Sequence, residues 1–359
     1  MEYTKERPLR VVTLCSGYDS QCLALERLKA VYTEFDYELV AWSEFDPEST
    51  TPLDKQPAVV AHNALFPQWA DRNLGDMTKI DWTKVEDFDL LFYSTPCQSI
   101  SSAGLQHGFV EGSGTRSSII WNVRDAVKTK RPKYLCFENV KAIINKKFVG
   151  TFNIWLNELQ NLGYRNYLKV LNSKDYGVPQ NRERVFVVSV RDDEPISSFN
   201  FPSTVPLNKT LEQIVESNVS DKYNLSEEIV EKFKDNVTAT KTKISDGKYI
   251  LNAINGVACT LTCSHHYAGN IIHPRQGFRE MGVLDNGKYR RLTERENFRL
   301  MGLDDDSIEK IANSGLTITT QYKLAGNSIV VDVLYHIFRK MFIETGVEKS
   351  EEPQQLTLF

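Results

Sequence analysis

A cysteine stands just after an apolar stretch of the chain, where many α/β enzymes carry a nucleophile. The stretch covers residues 88–93, and Pro96, Cys97 and Gln98 follow it. Loops at the carboxyl ends of parallel strands face the ligand crevice of such enzymes. The position therefore predicts that the Cys97 thiol meets a substrate at one edge of a sheet.

A carboxyl group follows a second apolar stretch in the same way. Residues 134–137 read Tyr-Leu-Cys-Phe, and Glu138 comes next. Between the two stretches, Ile119, Val123 and Val127 recur at helical spacing, which predicts a strand–helix–strand unit. Such a unit places Cys97 and Glu138 at the same edge, on neighbouring strands. A thiol beside a carboxyl group indicates covalent chemistry on a polarisable ring.

The remaining strands of this region are predicted at 10–15, 38–43, 167–171 and 184–190. Gly17 lies in the turn after the first strand, where Asp19 or Ser20 is suited to cap a helix. Glu44 ends the second strand, a position that suits a pair of ribose hydroxyls. Alternation of strands and helices predicts an α/β fold with a doubly wound, mostly parallel, Rossmann-like sheet.

The pattern divides the chain into four segments. Residues 1–191 are predicted to form a catalytic and cofactor-binding domain. Residues 192–288 are polar, with short β-prone pieces, and are predicted to form a smaller β-rich domain. Residues 289–346 return to the first domain through an amphipathic helix at 328–343. The charged and polar end, 347–359, is predicted to be a flexible tail.

The composition is that of a soluble globular protein. The chain has 359 residues, of which 41% are hydrophobic and 25% charged, with a net charge of −4. No apolar run reaches membrane-spanning length and no secretory signal precedes the first strand, so an intracellular location is expected. Residues 232–248 and 275–299 are locally basic, which fits a phosphate-contacting face and solvated surface charge about equally.

The cysteines indicate neither disulfides nor a metal site. An intracellular location argues against structural disulfides. Cys259, Cys263, His265 and His266 lie close together, but their spacing is not that of a common zinc site, so no metal is predicted. Cys22 and Cys136 lie among apolar residues, as does Cys15, and packing explains such thiols.

The ordered set of motifs resembles the C5-cytosine DNA methyltransferase family of bacteria and bacteriophages, including the enzymes of restriction–modification systems. The match covers nearly the whole chain in family order. The residues that carry it are 10–20, Glu44, Gly75-Asp76, Pro96-Cys97-Gln98 with Ser101 and Gly104, Glu138-Asn139-Val140, 180–184, 291–293, 299–302 and Gly326-Asn327-Ser328.

The resemblance implies a mechanism and four catalytic residues. The Cys97 thiolate would add to C6 of a cytosine, and Glu138 would hydrogen-bond or protonate N3. C5 would then take the methyl group of S-adenosylmethionine. Arg182 and Arg184, two residues apart at the start of a strand, should point the same way. By resemblance they contact the target nucleotide and orient Glu138.

The resemblance also implies a set of cofactor contacts. Glu44 would bind the ribose, Asp76 the adenine amino group, and Asn327 the methionine end. The turn at Gly17 holds fewer glycines than the family usually has there. The cofactor contacts expected from the resemblance are Cys15, Gly17, Glu44, Phe45, Asp76, Met77, Pro96 and Asn327.

Double-stranded DNA is the expected substrate. Residues 112–116 form a loop of small residues suited to close over a flipped nucleotide. Residues 192–288 would recognise the target sequence. Within them, Lys241–Lys243 and Ser245–Gly247 are expected in a loop that enters the DNA groove. The expected DNA contacts are Gln98, Ser101, Arg116, Lys241 and Lys243. The enzyme is expected to act as a monomer in the cytoplasm of a bacterial or phage-infected cell.

Three other functions compete with this interpretation. An RNA cytosine methyltransferase shares the fold, but a sizeable recognition domain favours duplex DNA. A non-catalytic nucleic-acid-binding relative would not need Cys97, Glu138, Arg182 and Arg184. A nicotinamide dehydrogenase would carry the G-x-G-x-x-G fingerprint, which is absent from the first turn.

The last five residues resemble a second kind of motif. They read Gln355-Leu356-Thr357-Leu358-Phe359. This is similar to the short peptide by which bacterial replication and repair proteins dock on the β sliding clamp. Leu356, Leu358 and Phe359 would fill an apolar pocket, while the Gln355 amide fixes the register. Packing of the tail on its own domain is the alternative.

Overall fold

The computed structural model describes residues 2–101, 107–196, 198–227, 230, 241–245, 248–251, 253–254, 256–261, 272–273, 277–278, 282–285 and 288–344. The chain forms two compact units. The first contains the chain up to Leu171, Glu183–Ser203 and the chain from Leu334 on; the second contains Asn172–Arg182 and Thr204–Val333. The second unit thus extends beyond the predicted recognition domain, because it also takes in 172–182 and 289–333.

A six-stranded sheet organises the first unit. Its strands are β1 (Leu9–Leu14), β2 (Tyr37–Ser43), β3 (Leu90–Tyr93), β4 (Tyr134–Val140), β5 (Tyr164–Asn172) and β6 (Glu183–Arg191). They lie in the order β2-β1-β3-β4-β6-β5. The first four strands are parallel, and β6 runs antiparallel to β4. The predicted α/β, mostly parallel sheet is confirmed, and the strand before Cys97 is adjacent to the strand of Glu138. Glu138 was expected to follow its strand, but it lies within β4, because the pairing with β6 continues to Val140.

The helices of this region follow the apolar periodicity of the sequence. They are α1 (Ser20–Val31), α2 (Pro57–Leu65), α3 (Val123–Lys130) and α4 (Val149–Asn161). Asp19 caps α1 by accepting a hydrogen bond from the backbone N–H of Cys22. Of the two predicted candidates, Asp19 and Ser20, Asp19 is therefore the cap. Phe152, Trp155 and Leu159 form the buried face of α4 and join the core cluster against the sheet.

The register of the parallel strands aligns their carboxyl ends. Leu14 at the end of β1 lies opposite Ser43 at the end of β2 and Tyr93 at the end of β3. Tyr93 in turn lies opposite Phe137 of β4. The segments that start at residues 15, 44 and 94 therefore leave the sheet at one edge, next to Glu138.

The second unit combines a small antiparallel sheet with helices. Its longer strands are β7 (Lys241–Ser245), β8 (Lys248–Leu251), β13 (Gly282–Asp285) and β14 (Lys288–Arg291), in the order β14-β13-β8-β7. Between them lie the short strands β9 (Ala253–Ile254), β10 (Val257–Ala258), β11 (Ile272–His273) and β12 (Gly277–Phe278). The predicted loop over Lys241–Lys243 and Ser245 is wrong, because these residues form β7, whose backbone pairs with β8. Asp246 and Gly247 lie outside the described residues.

The second unit contains the helices α5 (Leu211–Ile214), α6 (Glu294–Leu300), α7 (Asp305–Ala312) and α8 (Ile318–Asn327). The last helix, α9 (Val331–Phe342), begins in the second unit and ends in the first, close to the predicted 328–343. In the first unit Phe338 packs edge-on against Phe92 of β3. Among the described residues, no helix is long and apolar enough to cross a membrane.

Candidate active site

Glu138 is a buried carboxylate held by two side-chain donors. Only 5% of the residue is exposed. Ser94, at the end of β3, donates its hydroxyl to Glu138 Oε2 at 2.7 Å. Arg184 of β6 places Nε 3.2 Å from Glu138 Oε1, because antiparallel pairing brings it back opposite Val140. These contacts fix the carboxylate and compensate for its removal from water.

Cys97 lies on a tight turn that follows β3. Its carbonyl accepts hydrogen bonds from the backbone N–H groups of Ile100, at 2.9 Å, and Ser101, at 2.7 Å. The fully buried Ser117 donates to the Pro96 carbonyl at 2.5 Å and accepts from the Ser99 N–H at 3.3 Å. The backbone on both sides of Cys97 is therefore held in place.

A further hydrogen bond links the Cys97 segment to β4. Asn139 Nδ2 donates to the Thr95 carbonyl at 3.0 Å. Thr95 lies two residues before Cys97, and Asn139 directly follows Glu138. Together with the bond between Ser94 and Glu138, this brings the two predicted catalytic segments to the same edge of the sheet.

Two of these supporting residues were missed by the sequence analysis. Ser94 carried a usable signal, since it is a small polar residue between a buried strand and Cys97. Ser117 carried none, because its partners are a backbone carbonyl and an N–H about twenty residues away in the chain. The types of residues in a sequence do not indicate which backbone groups a side chain will bind.

Arg116 and Gln98, both predicted DNA contacts, bind one another. Arg116 Nη1 donates to Gln98 Oε1 at 3.1 Å, and Nη2 lies 2.8 Å from Asp46 Oδ1. Arg116 therefore connects the residue after Cys97 with the segment that follows β2. Ser101, the third predicted DNA contact of this region, belongs to the same turn as Cys97.

The predicted ribose-binding carboxylate faces the first turn. The Gly17 N–H donates to Glu44 Oε2 at 2.7 Å. Gly17 has a φ of +61°, and a Cβ built there meets nothing within 4 Å. Burial raises the pKa of the half-buried Glu44 to about 7; the hydrogen bond from Gly17 opposes this rise, and the charges of Asp46 and Asp19 add to it.

The other cofactor candidates of the first unit lie along the same edge. Cys15 Sγ is 3.5 Å from Met77 Sδ. Asp76 accepts hydrogen bonds from the Thr78 N–H at 3.0 Å and hydroxyl at 2.8 Å. Burial acts to raise the pKa of Asp76, but the bonds from Thr78 and the nearby Lys79 ammonium outweigh it and lower the pKa. Phe45 directly follows Glu44, and Pro96 precedes Cys97.

Arg182 and Asn327 belong to the second unit. Arg182 donates to the carbonyls of Leu261 at 2.7 Å, Gly326 at 3.1 Å and Ser328 at 2.7 Å, and so holds the backbone on both sides of Asn327. The strand β6 begins at Glu183, so the alternation that predicted a common direction for Arg182 and Arg184 does not reach Arg182. The two arginines have different partners.

Possible metal ligands are not clustered in the described part of the chain. No group of three His, Cys, Asp or Glu residues suited to a metal ion occurs there. Cys259 is a partly buried thiol in the second unit, and burial raises its pKa to about 11. Cys263, His265 and His266 lie outside the described residues.

The family follows from comparison with known proteins. A family model described as C-5 cytosine-specific DNA methylase matches residues 9–343. The chain belongs to this family. Its enzyme class is therefore that of a DNA cytosine-5 methyltransferase, which confirms the resemblance read from the motifs.

Two relatives illustrate the match. The type II methyltransferase M2.ScrFI of Lactococcus lactis subsp. cremoris is 39% identical over 279 residues, which cover 76% of this chain and 71% of that protein. The type II methyltransferase M.HhaI of Haemophilus parahaemolyticus is 34% identical, with 92% and 93% of the two chains covered. Both are named type II methyltransferases.

Solved structures support the fold. The Entamoeba histolytica methyltransferase EhMeth has a TM-score of 0.69 at 18% identity, over 95% of this chain and 99% of that one. The S. pombe Dnmt2 methyltransferase has a TM-score of 0.63 at 16% identity, over 92% and 97%. The Rossmann-like methyltransferase fold predicted from the strand pattern is therefore confirmed.

Proposed function

We propose that the enzyme methylates C5 of a flipped cytosine in double-stranded DNA through a covalent bond between Cys97 Sγ and C6. One observation carries the proposal. The buried Glu138 carboxylate, held by Ser94 and Arg184, lies at the sheet edge from which the Cys97 turn emerges. A nucleophile and a group that can bind the ring nitrogen are thus available to one base.

Methyl transfer would proceed by addition at C6, methylation at C5 and elimination. The Cys97 thiolate forms a bond to C6, and the C5–C6 electron pair moves to C5 while the Glu138 carboxyl group shares a proton with N3. C5 would then bond the methyl group that S-adenosylmethionine supplies, while the methyl–sulfur bond breaks and leaves its electron pair on sulfur. A base removes the C5 proton, the electron pair re-forms the C5–C6 double bond, and the Cys97–C6 bond breaks. The cytosine must leave the helix stack to reach Cys97.

S-adenosylmethionine is the proposed cofactor, and it supplies the methyl group when bound. The first unit offers suitable groups for it. Glu44 presents a carboxylate that suits two ribose hydroxyls, and the open space beside Gly17 admits a close approach to the backbone. Asp76 offers a carboxylate to the adenine amino group, and Asn327 is assigned to the methionine end from the resemblance. Cys15, Phe45, Met77 and Pro96 complete the proposed pocket.

Glu44 should make cofactor binding depend on pH. Ribose hydroxyls bind the carboxylate better than the acid, so binding should release a proton below the pKa of about 7. Affinity should therefore rise from pH 5.5 to 7 and level off above it. Calorimetry should show that Glu44→Gln weakens binding at pH 7.5 by about 1.5–3 kcal/mol, the value of one or two charge-assisted hydrogen bonds.

The Glu44→Gln variant also serves as the reference for the pH series. The methionine amino group of the cofactor titrates in both proteins, so its effect cancels in the comparison. The ratio of the two affinities should shrink as the pH falls from 7.5 to 5.5. A constant ratio, or unchanged affinity in the variant, would remove Glu44 from the ribose site.

The DNA contacts are proposed at the Cys97 turn and in the second unit. Gln98, Ser101 and Arg116 adjoin the nucleophile, and the loop at 112–116 is proposed to close over the flipped nucleotide. Gly112 and Gly114 have positive φ values there, and Thr115 anchors the loop to the Gly108 carbonyl at 2.8 Å.

Target recognition is assigned to residues 192–288, including Lys241 and Lys243. A recognition domain of this size suits duplex DNA, where the flipped base must be replaced, better than RNA. The enzyme is proposed to act as a monomer in the cytoplasm of a bacterial or phage-infected cell.

Bisulfite sequencing of DNA from cells that express the chain tests the proposed activity directly, since it reports activity, base and sequence context together. Methylation of RNA cytosines alone would refute the duplex assignment.

The C-terminal peptide is proposed to dock on a bacterial β sliding clamp. Gln355, Leu356, Leu358 and Phe359 lie outside the described residues, so the proposal rests on the sequence alone. Glu351, Glu352 and Pro353 precede the peptide and favour an extended, solvated arm. Docking would raise the local concentration of the enzyme on replicating DNA without altering catalysis.

Deletion of Gln355–Phe359 should abolish co-elution with a purified β clamp and leave methylation of short duplexes unchanged. Replacement of Leu356 and Phe359 by alanine should have the same effect, since both supply apolar contacts. Thr357→Ala is the matched control and should keep binding. Clamp affinity that is absent from the parent protein, or equal in the parent and truncated proteins, would contradict the proposal.

A further inference from the structure

The turn between β1 and α1 adopts an unusual backbone. Cys15, Gly17 and Asp19 have φ values of 52°, 61° and 67°. Only one of these is a glycine, although positive φ is rarely adopted by residues with a side chain. Such a conformation persists where its surroundings hold it in place, and it often occurs at functional sites.

Asp19 supplies part of that support through its side chain. The residue is fully buried. Thr13 of β1 donates its hydroxyl to Asp19 Oδ2 at 2.8 Å, and the Cys22 N–H of α1 donates to Oδ1 at 3.2 Å. A buried carboxylate is costly unless donors surround it. The same contacts that satisfy the carboxylate therefore fix the end of the turn.

His62 approaches the same carboxylate from α2. Its side chain is fully buried, and Nε2 lies 3.6 Å from Asp19 Oδ2. The imidazole stacks on Trp42 of β2, with ring centroids 3.6 Å apart and planes at 16°. The ring is thus held in one orientation, with Nε2 facing Asp19 at a distance just beyond that of a hydrogen bond. Elements β1, α1 and α2 all meet at this carboxylate.

We propose that Asp19 and His62 are positioning residues for the cofactor turn. They hold Cys15, Gly17 and Asp19 in the left-handed conformations that direct the Gly17 N–H to Glu44. In this chain, contacts of a buried side chain take the place of the glycines expected in the turn. The inference rests on the proposed role of Glu44 and Gly17 in binding S-adenosylmethionine.

His62→Phe tests the proposal, because it retains a flat ring against Trp42 and removes the polar nitrogen that faces Asp19. The dissociation constant and KM for S-adenosylmethionine should rise about five- to tenfold, because the turn loses the weak polar contact between the imidazole and Asp19. The kcat at saturating cofactor should stay within about twofold of the parent value. His62→Gln, whose amide can donate to Asp19, should recover part of the affinity.

Two further variants distinguish positioning from general destabilisation. Val59→Ala removes buried volume from the same helix but no polar group. It should lower the melting temperature without changing cofactor affinity. Asp19→Asn should weaken cofactor binding, as His62→Phe does. The cofactor affinity of the double variant should be no lower than that of the single variant with the lower affinity, because both changes act through one contact.

The outcomes separate this inference from the proposed function. A parent enzyme that binds no S-adenosylmethionine refutes the proposed cofactor. A parent that binds it, with unchanged affinity in both His62→Phe and Asp19→Asn, overturns the positioning role alone. Equal losses of affinity in Val59→Ala and His62→Phe, or fully additive losses in the double variant, also overturn it.

Discussion

Cys97→Ser is expected to lower the rate of methyl transfer by at least about 1,000-fold, as the loss of a nucleophile does in other enzymes. A serine hydroxyl is a much poorer nucleophile than a thiolate, whereas its volume is nearly that of the thiol. The turn should survive the change, because its hydrogen bonds involve the backbone of Cys97 and the Ser117 hydroxyl. Single-turnover methylation of a duplex with labelled cofactor measures the rate.

A covalent trap gives a second readout of the same variant. A duplex that carries 5-fluorocytosine should form a stable adduct with the parent enzyme, because fluorine at C5 blocks the final elimination. Cys97→Ser should form none. Cys259→Ser, which alters a partly buried thiol of the second unit, is the control and should form the adduct normally. Methylation by Cys97→Ser at a rate near that of the parent would place the nucleophile elsewhere.

The sequence was informative where function depends on the ends of strands. Apolar stretches before Glu44 and Cys97 predicted where β2 and β3 stop, whereas β4 continues past Glu138 to Val140. Parallel register still brings the three residues to one edge of the sheet. Residue type and strand position were sufficient for this conclusion. The order of motifs added the family, which the matched model confirms over residues 9–343.

The supporting contacts could not be predicted in the same way. Arg182 and Arg184 seemed equivalent in sequence, yet one binds backbone carbonyls of its own unit and the other a carboxylate on β4. The difference arises because β6 begins between them. His62 offered no signal, since its partners Asp19 and Trp42 come from distant elements. Lys241 and Lys243 looked like loop residues because polar strands lack a clear apolar alternation.

Arg184→Gln is expected to lower kcat about 100-fold, comparable to the loss of one preorganised donor in other active sites. Glu138 would keep its bond from Ser94 but lose the charged partner of Oε1. A buried carboxylate without that partner is expected to turn away from the position that serves the cytosine N3. Rapid-quench measurement of single-turnover methylation reports the chemical step separately from product release.

Arg191→Gln is the matched control, because Arg191 lies at the other end of β6 and pairs with Asp193 and Glu194. It should leave kcat unchanged, and melting curves of both variants check that the sheet is intact. Glu138→Gln alone should cost at least as much as Arg184→Gln. The two changes together should cost no more than Glu138→Gln, since Arg184 acts only through that carboxylate. Additive losses would instead assign Arg184 its own contact with the nucleotide, and a kcat near the parent value in Arg184→Gln would exclude both roles.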